Sequence, residues 1–236
     1  MLTSCCSSKQ ANKPGTVPPP LEAGMTVSDD FVSAYDPSCF FYCSEIDSAL
    51  FERIKGKSYK VDCPVPVSDL RYVRALHVDA EGKTHVGEMI CNKSISSDVV
   101  DILQELYSAR YPIERMLLVD EYDADDDRSM EDNNSSSFNY RTIAETDSIS
   151  MHGFGLAVDI NTKYNPYVKT VRGTRRVWPA SSEPFLIDRD TRTDIPYLIR
   201  KGDACYNAFI KRGFEWGGEW VAKKDYQHFE KHEQDR

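Results

Sequence analysis

Four residues have the types and spacing to hold and use a metal ion. His152 and Asp159 lie seven apart in "SMHGFGLAVDI" (150–160), and Asp225 and His228 lie three apart in "DYQHFE". Hydrolytic zinc sites take three protein ligands from histidines and carboxylates and leave a fourth position for water. His152, Asp159 and His228 would supply two neutral nitrogens and one carboxylate. Asp225, outside that set, would accept the proton that the water gives up. Taken alone, a His/Asp pair is also a common structural hydrogen bond. A separation of seven is odd, so a regular strand would send the two side chains to opposite faces. Gly153 and Gly155 between them permit a bend that brings both to one site. Gly-Phe-Gly shares two glycines with a dinucleotide loop but lacks the third.

The remaining histidines carry less. His77 and His85 have no ligand-spaced neighbours and are expected to be structural or exposed, and His232 to be solvated in "EKHEQDR". Asp123, Asp125 and Asp127 imitate the start of a calcium loop, but Arg128 stands where that loop needs glycine and Asn134 where it needs glutamate. A solvated acidic loop is expected over "DADDDRSMEDNNSSS".

Several elements must position these groups. A short helix is predicted over about 45–55, ending at Gly56, and two strands around the turn signal Glu81-Gly82-Lys83. Val99, Ile102, Leu103, Leu106 and Tyr107 follow helical spacing behind a capping Ser96 or Ser97. "RMLLVDEY" predicts a buried strand, 203–212 a helix stopped by Gly213, and "FEWGGEW" a strand broken by a Gly-Gly turn. Helices and strands mix without a βαβ rhythm, which predicts an α+β fold.

With 236 residues, 40% of them apolar, the chain can bury one sizeable core. A net charge of −9 argues against a nucleic-acid surface and against tight binding to anionic wall polymers, leaving recognition to short-range contacts in a cleft. No apolar run approaches the ~20 residues that span a bilayer. The seven cysteines form no CxxC pair; Cys39 and Cys43, four apart, are expected in the core rather than in a disulfide. "LTSCC" is similar to a bacterial lipobox with Cys5 as the lipidated residue, followed by a Pro-rich tether. The expected organisation is a disordered tether over 1–27 and one domain over 28–236.

The run Ser150-x-His152-x-x-Gly155-x-Ala157-x-Asp159 resembles the SxHxxGxAxD signature of the zinc D-alanyl-D-alanine carboxypeptidase family. That family includes VanY-type carboxypeptidases, D,D-dipeptidases and phage L-alanyl-D-glutamate endopeptidases. "FEWGGEWVAKKDYQHFE" is similar to its second motif, an acid-x-x-His after a Trp-Gly-Gly turn, and "SSSFNYR" to the segment bearing a substrate-binding arginine. The resemblance implies a hedgehog/DD-peptidase-like α+β domain with a central antiparallel sheet and a zinc ion held by His152, Asp159 and His228. It makes Asp225 the general base, Arg141 a catalytic and substrate-binding cation, and Ser150 a substrate or positioning contact. It sets Trp216 and Trp220 as packing under the site. The implied activity is zinc metallopeptidase action on peptidoglycan stem peptides or muropeptides, as a D-Ala-D-Ala-type carboxypeptidase or an L-alanyl-D-glutamate-type endopeptidase. A non-catalytic zinc-binding recognition domain of hedgehog-like fold is the rival from another class.

From "LTSCC" and the tether, the native product is expected at the cell envelope or outside the cell, its membrane attachment running through a lipidated Cys5. Mass spectrometry of the membrane fraction should find lipid on Cys5. A wholly cytosolic product with an unmodified Cys5 would contradict this.

Overall fold

Apolar and β-branched residues on either side of Gly82 close into the longest pairing of the molecule. This is β3 (Leu70–Val78) against β4 (Thr84–Asn92), antiparallel from Leu70↔Asn92 to Val78↔Thr84. The computed structural model, which describes residues 17–142 and 148–232, extends the hairpin on both edges. There β1 (Thr26–Val27) pairs with β4, and β2 (Tyr42–Glu45) with β3. Two short helices, α1 (Asp29–Ser33) and α2 (Ser48–Ile54), flank β2 in sequence; the Asp47 side chain caps α2 by accepting from the Leu50 amide at 2.8 Å. α3 (Ser96–Ser108) buries Val99, Ile102, Leu103 and Leu106, as the spacing predicts. Its N-cap is Ile95 rather than either serine; Ser96 is already inside the first turn and donates to the Lys93 carbonyl.

Beyond the helix α4 (Asp126–Glu131) the strands become short: β5 (Ala157–Asp159), β6 (Tyr167–Val171), β7 (Thr174–Trp178), then, after α5 (Ala204–Ile210), β8 (Glu215–Trp216), β9 (Lys223–Asp225) and β10 (His228–Glu230). They form two further sheets, ordered β5-β10-β8 and β7-β6-β9. The fold is α+β and every strand pairing is antiparallel. Among the described residues there are thus three antiparallel sheets: the long hairpin with β1 and β2 on its edges, and two sheets of short strands.

Other expectations change for identifiable reasons. "RMLLVDEY" is not a strand: the side-chain amide of Asn134 takes both the Leu117 N–H (2.8 Å) and the Leu117 carbonyl (3.0 Å), and a 3-10 turn follows over Val119–Tyr122. The acidic loop contains α4, because Asp125 caps it by accepting from the Arg128 amide. Asp123 pairs with Lys57 and Arg128. Ordered structure begins before residue 28: Gly24 donates to the Val86 carbonyl at 2.7 Å and Arg74 to the Leu21 carbonyl at 2.9 Å. Cys5 lies outside the described residues. Cys43 is exposed on the edge strand β2 rather than in the core, and Cys39 is half-buried; both are free thiols. Among the described residues no helix is long and apolar enough to cross a membrane.

One core joins the hairpin to the second half, with Met89 and Leu106 in the same cluster as Val158, Phe209, Trp216 and Phe229. Phe209 of α5 stacks on Phe229 of β10 at 4.0 Å between centroids, and Phe229 adjoins His228. Both rings are fully buried. Phe209→Ala should therefore destabilise the protein by about 3–5 kcal/mol in urea unfolding. A loss below about 1 kcal/mol would show that this stack does not hold β10 in place.

Candidate active site

The two distant motifs meet through strand register. β10 runs antiparallel to β5 with His228 directly opposite Asp159, and directly opposed residues share a face. His152 does not lie on that strand. It sits in a 3-10 turn over Met151–Phe154, which Ser150 caps through its hydroxyl to the His152 amide at 3.3 Å. Gly155 then reverses the chain at φ +69°, and a β-carbon there would meet the Asn92 amide nitrogen at 2.8 Å. That close approach is used: Asn92 donates from its backbone to the Gly155 carbonyl and from its side chain to the Phe154 carbonyl. A left-handed turn docked on the end of β4, rather than a bent strand, overcomes the odd spacing.

His152, Asp159 and His228 are all buried, and one ligand atom from each lies within 4.8 Å of the others. His152 Nε2 is 3.1 Å from His228 Nδ1 and 3.2 Å from Asp159 Oδ2, and His228 Nδ1 is 3.0 Å from Asp159 Oδ1. The outer nitrogen of each ring is also engaged. His152 Nδ1 donates to the Ser137 carbonyl at 2.7 Å, and His228 Nε2 donates to Glu230 Oε2 at 2.9 Å. With no metal bound, the inner Nδ1 of His228 also carries a proton and donates to Asp159; once that proton is displaced, the outer N–H of each ring would fix the tautomer whose inner nitrogen can face a metal. Two imidazole nitrogens and a carboxylate in a buried corner suit a zinc ion in donor type and number.

The charges agree with that chemistry. Burial alone would raise the Asp159 carboxyl, but the His152 and His228 rings hold it well below the usual carboxylate range. Burial pulls the His228 imidazolium down, yet hydrogen bonds to Asp159 and Glu230 outweigh it and push the ring up to about 10. Burial pushes Asp225 up to about 7; the His228 charge opposes that rise and the Asp159 charge adds to it. Asp225 is half-buried overall, but its Oδ1 is closed off from solvent and accepts no hydrogen bond. It reaches this position from β9, in a different sheet from β10, across the turn at Tyr226-Gln227.

The Trp-Gly-Gly turn has a packing reason. A β-carbon on Gly217 would meet the Asp225 carbonyl at 2.6 Å, and one on Gly218 would meet the Trp216 ring at 2.3 Å. Trp216 is buried, donates to the Tyr226 carbonyl at 2.9 Å and packs under the site as expected. Trp220 instead flanks the trio, its ring 5.3 Å from that of His228.

Arg141 stands apart from the trio. Its Nε donates to Asp126 Oδ2, and Asp126 also accepts from Asn139 at 2.7 Å. Its backbone is closer to the site: the Arg141 carbonyl accepts from the Ser150 amide, and Asn139 donates to the His152 carbonyl. Residues 134–142 are thus a strap along the ligand turn, fastened at its far end to α4. His232 is half exposed and joins Glu230 and Glu215 in a second, outer group. His77 and His85 are cross-strand partners with rings 5.4 Å apart; His77 is buried against the Ile113 carbonyl and His85 pairs with Asp79 at 2.8 Å.

Sequence reasoning missed Ser137, Glu230 and Asp126. Glu230 was within reach, two residues after His228 and so on the same face of a strand. Ser137 acts through its backbone carbonyl, which leaves no mark in residue type.

The site joins a buried two-histidine, one-carboxylate trio that could hold a metal ion to an acid beside it. Residues 144–231 match the family described as D-alanyl-D-alanine carboxypeptidase, a span that contains the trio, Ser150 and Asp225 and begins after Arg141. The match supports a peptidase. No curated protein and no solved structure matches the chain.

Metal uptake should depend on pH. The unbound His228 ring keeps its proton up to about 10, so below that pH a metal must displace one proton from it. Titrating chelator-stripped protein with zinc between neutral pH and pH 9 should show roughly tenfold tighter binding per pH unit. A pH-independent affinity would mean that His228 is not a ligand.

Proposed function

We propose that the chain is a zinc-dependent metallopeptidase of hedgehog/DD-peptidase-like fold that hydrolyses bacterial peptidoglycan stem peptides at the cell envelope. Its leading activity on this reading is that of a D-Ala-D-Ala-type carboxypeptidase. The observation that carries the reading is the buried His152–Asp159–His228 trio with Asp225 beside it. When bound, zinc supplies a Lewis acid that polarises the scissile carbonyl and acidifies the attacking water.

The chain's own residues do the rest. Asp225, lifted to about 7, is matched to accepting a proton from water at neutral pH and returning it to the departing amine. Its Oδ1 spends no hydrogen bond on the protein, which leaves that acceptor uncommitted. Ser137 and Glu230 hold the two rings in their ligand tautomers. Ser150 acts on His152 as a positioning residue through its cap. Arg141 offers a planar donor fork to a substrate carboxylate or a developing oxyanion, with one edge steadied by Asp126.

That same Asp126 contact favours a second reading, an L-alanyl-D-glutamate-type endopeptidase. A guanidinium already paired with a carboxylate is a weaker receptor for a chain terminus. The non-catalytic recognition domain has no use for a raised, unpartnered Asp225.

Two measurements test this. Asp225→Asn should keep one zinc ion by elemental analysis while slowing hydrolysis by roughly 10²–10⁴-fold; loss of the metal would make Asp225 a ligand instead of a base. Mass spectrometry of digested muropeptides separates the activities: released terminal D-alanine supports the carboxypeptidase, and a fragment starting at D-Glu the endopeptidase. No hydrolysis of any stem peptide by the zinc-loaded protein would end the reading.

A further inference from the structure

The sheet β7-β6-β9 carries Asp225 at one edge, and its register puts a row of three cations on the same face. Tyr167 of β6 lies opposite both Asp225 of β9 and Trp178 of β7, so these three share a face. Two residues along, Lys169 lies opposite both Lys223 and Arg176, which returns to that same face. Side-chain contacts agree: the Tyr167 and Trp178 rings are 5.4 Å apart, and Lys223 Nζ lies 5.6 Å from the Tyr167 centroid and 4.5 Å from that of Trp220.

Like charges directly opposite one another destabilise a sheet; here Lys223 is partly offset by the nearby Asp225 and Glu230 and by the two rings beneath it, whereas Lys169 and Arg176 are not. Lys169 and Arg176 are exposed and have no ion-pair partner among the described residues. Arg175, which alternates to the other face, is paired with Glu183. Among the described strand residues on the cationic face of this sheet, Asp225 is the one carboxylate, and Glu230 of the neighbouring sheet also feels the Lys223 charge. In a chain of net charge −9, this is a local reversal of sign beside the general base.

We propose that Lys223, Lys169 and Arg176 form a binding ledge for carboxylates of an anionic peptide that runs over Tyr167 and Trp178 into the site. The proposal rests on the peptidase reading for its direction and deepens it by naming the substrate as anionic. Dimensions favour a short peptide over a long polyanion. Three strands set the row about 10 Å wide, and two residues of strand set it about 7 Å from the Asp225 row. That is the reach of the next one or two residues of an extended peptide whose scissile bond lies at Asp225. The aromatic pair Tyr167 and Trp178, in the same row as Asp225, offers an apolar floor for the peptide backbone as it reaches the site.

Binding can be read without turnover. The probe is N-acetylated, C-amidated triglutamate, titrated by calorimetry into the zinc-loaded protein, with triglutamine as its neutral counterpart. The wild type should bind triglutamate and bind triglutamine weakly. K169E/R176E should raise the triglutamate Kd at least about tenfold, as expected for lost charge-assisted bonds, and leave triglutamine unchanged. Raising ionic strength from about 0.01 to about 1 M, which shortens the screening length from ~30 to ~3 Å, should weaken the wild type and spare the variant. K169Q/R176Q should weaken binding while its Tm stays equal or rises, because it relieves repulsion; a residue with a merely structural role would lose Tm. Absent triglutamate binding, or an equal Kd in wild type and K169E/R176E, overturns the ledge. Polyphosphate bound in preference to triglutamate, and lost in the same variant, overturns the carboxylate assignment in favour of a phosphate polymer. Failure of the peptidase reading shows separately, as absent hydrolysis with triglutamate binding intact.

Discussion

The rest of the structure depends on the contact between His228 and Asp159 across β10 and β5. A carboxylate and two imidazoles taken out of water are costly unless each is compensated. Compensation comes from behind: Ser137 and Glu230 take the outer N–H of each ring, so the inner nitrogens face the carboxylate at 3.0–3.2 Å. Everything that fixes β5 against β10 serves that geometry. Phe229 is clamped by Phe209, and the ligand turn is docked on Asn92.

Asp225 follows the opposite rule. Its Oδ1 is sealed without a partner, and the group is raised to about 7 by burial, with the nearby Asp159 charge adding to the rise. A raised carboxyl favours the folded state while protonated, and that contribution is lost as pH climbs from the unfolded value through 7. The fold therefore gives up stability under the conditions in which an ionised base is useful. The cation row on the adjoining strands has the same character, being three like charges held together against their repulsion. Local destabilisation on one face, next to a site, is the mark of binding and chemistry rather than of architecture.

How much of this was legible in the sequence depends on the kind of signal. Local rules were readable: the Gly82 hairpin, the α3 stripe and the Gly213 stop all follow from periodicity and turn chemistry. The members of the buried trio were readable as well, as histidines and an aspartate of the right type and number to hold one ion. How they converge was not, because it needs a register between strands about seventy residues apart and a left-handed turn at Gly155. "RMLLVDEY" failed as a strand because a distant side chain, Asn134, replaced its ladder partner. Net charge is silent on distribution: a total of −9 conceals where positive charges collect, and the pairing of β6 with β7 and β9 lines three of them up.

The central claim is that the inner nitrogens of two histidines and the Asp159 carboxylate are built to share one metal ion. Diffraction from zinc-soaked crystals at the zinc absorption edge tests it most directly. The account predicts one strong anomalous peak about 2.0–2.2 Å from His152 Nε2, His228 Nδ1 and an Asp159 oxygen. A peak held instead by Glu215, Glu230 and His232, or no peak near His152, would contradict it.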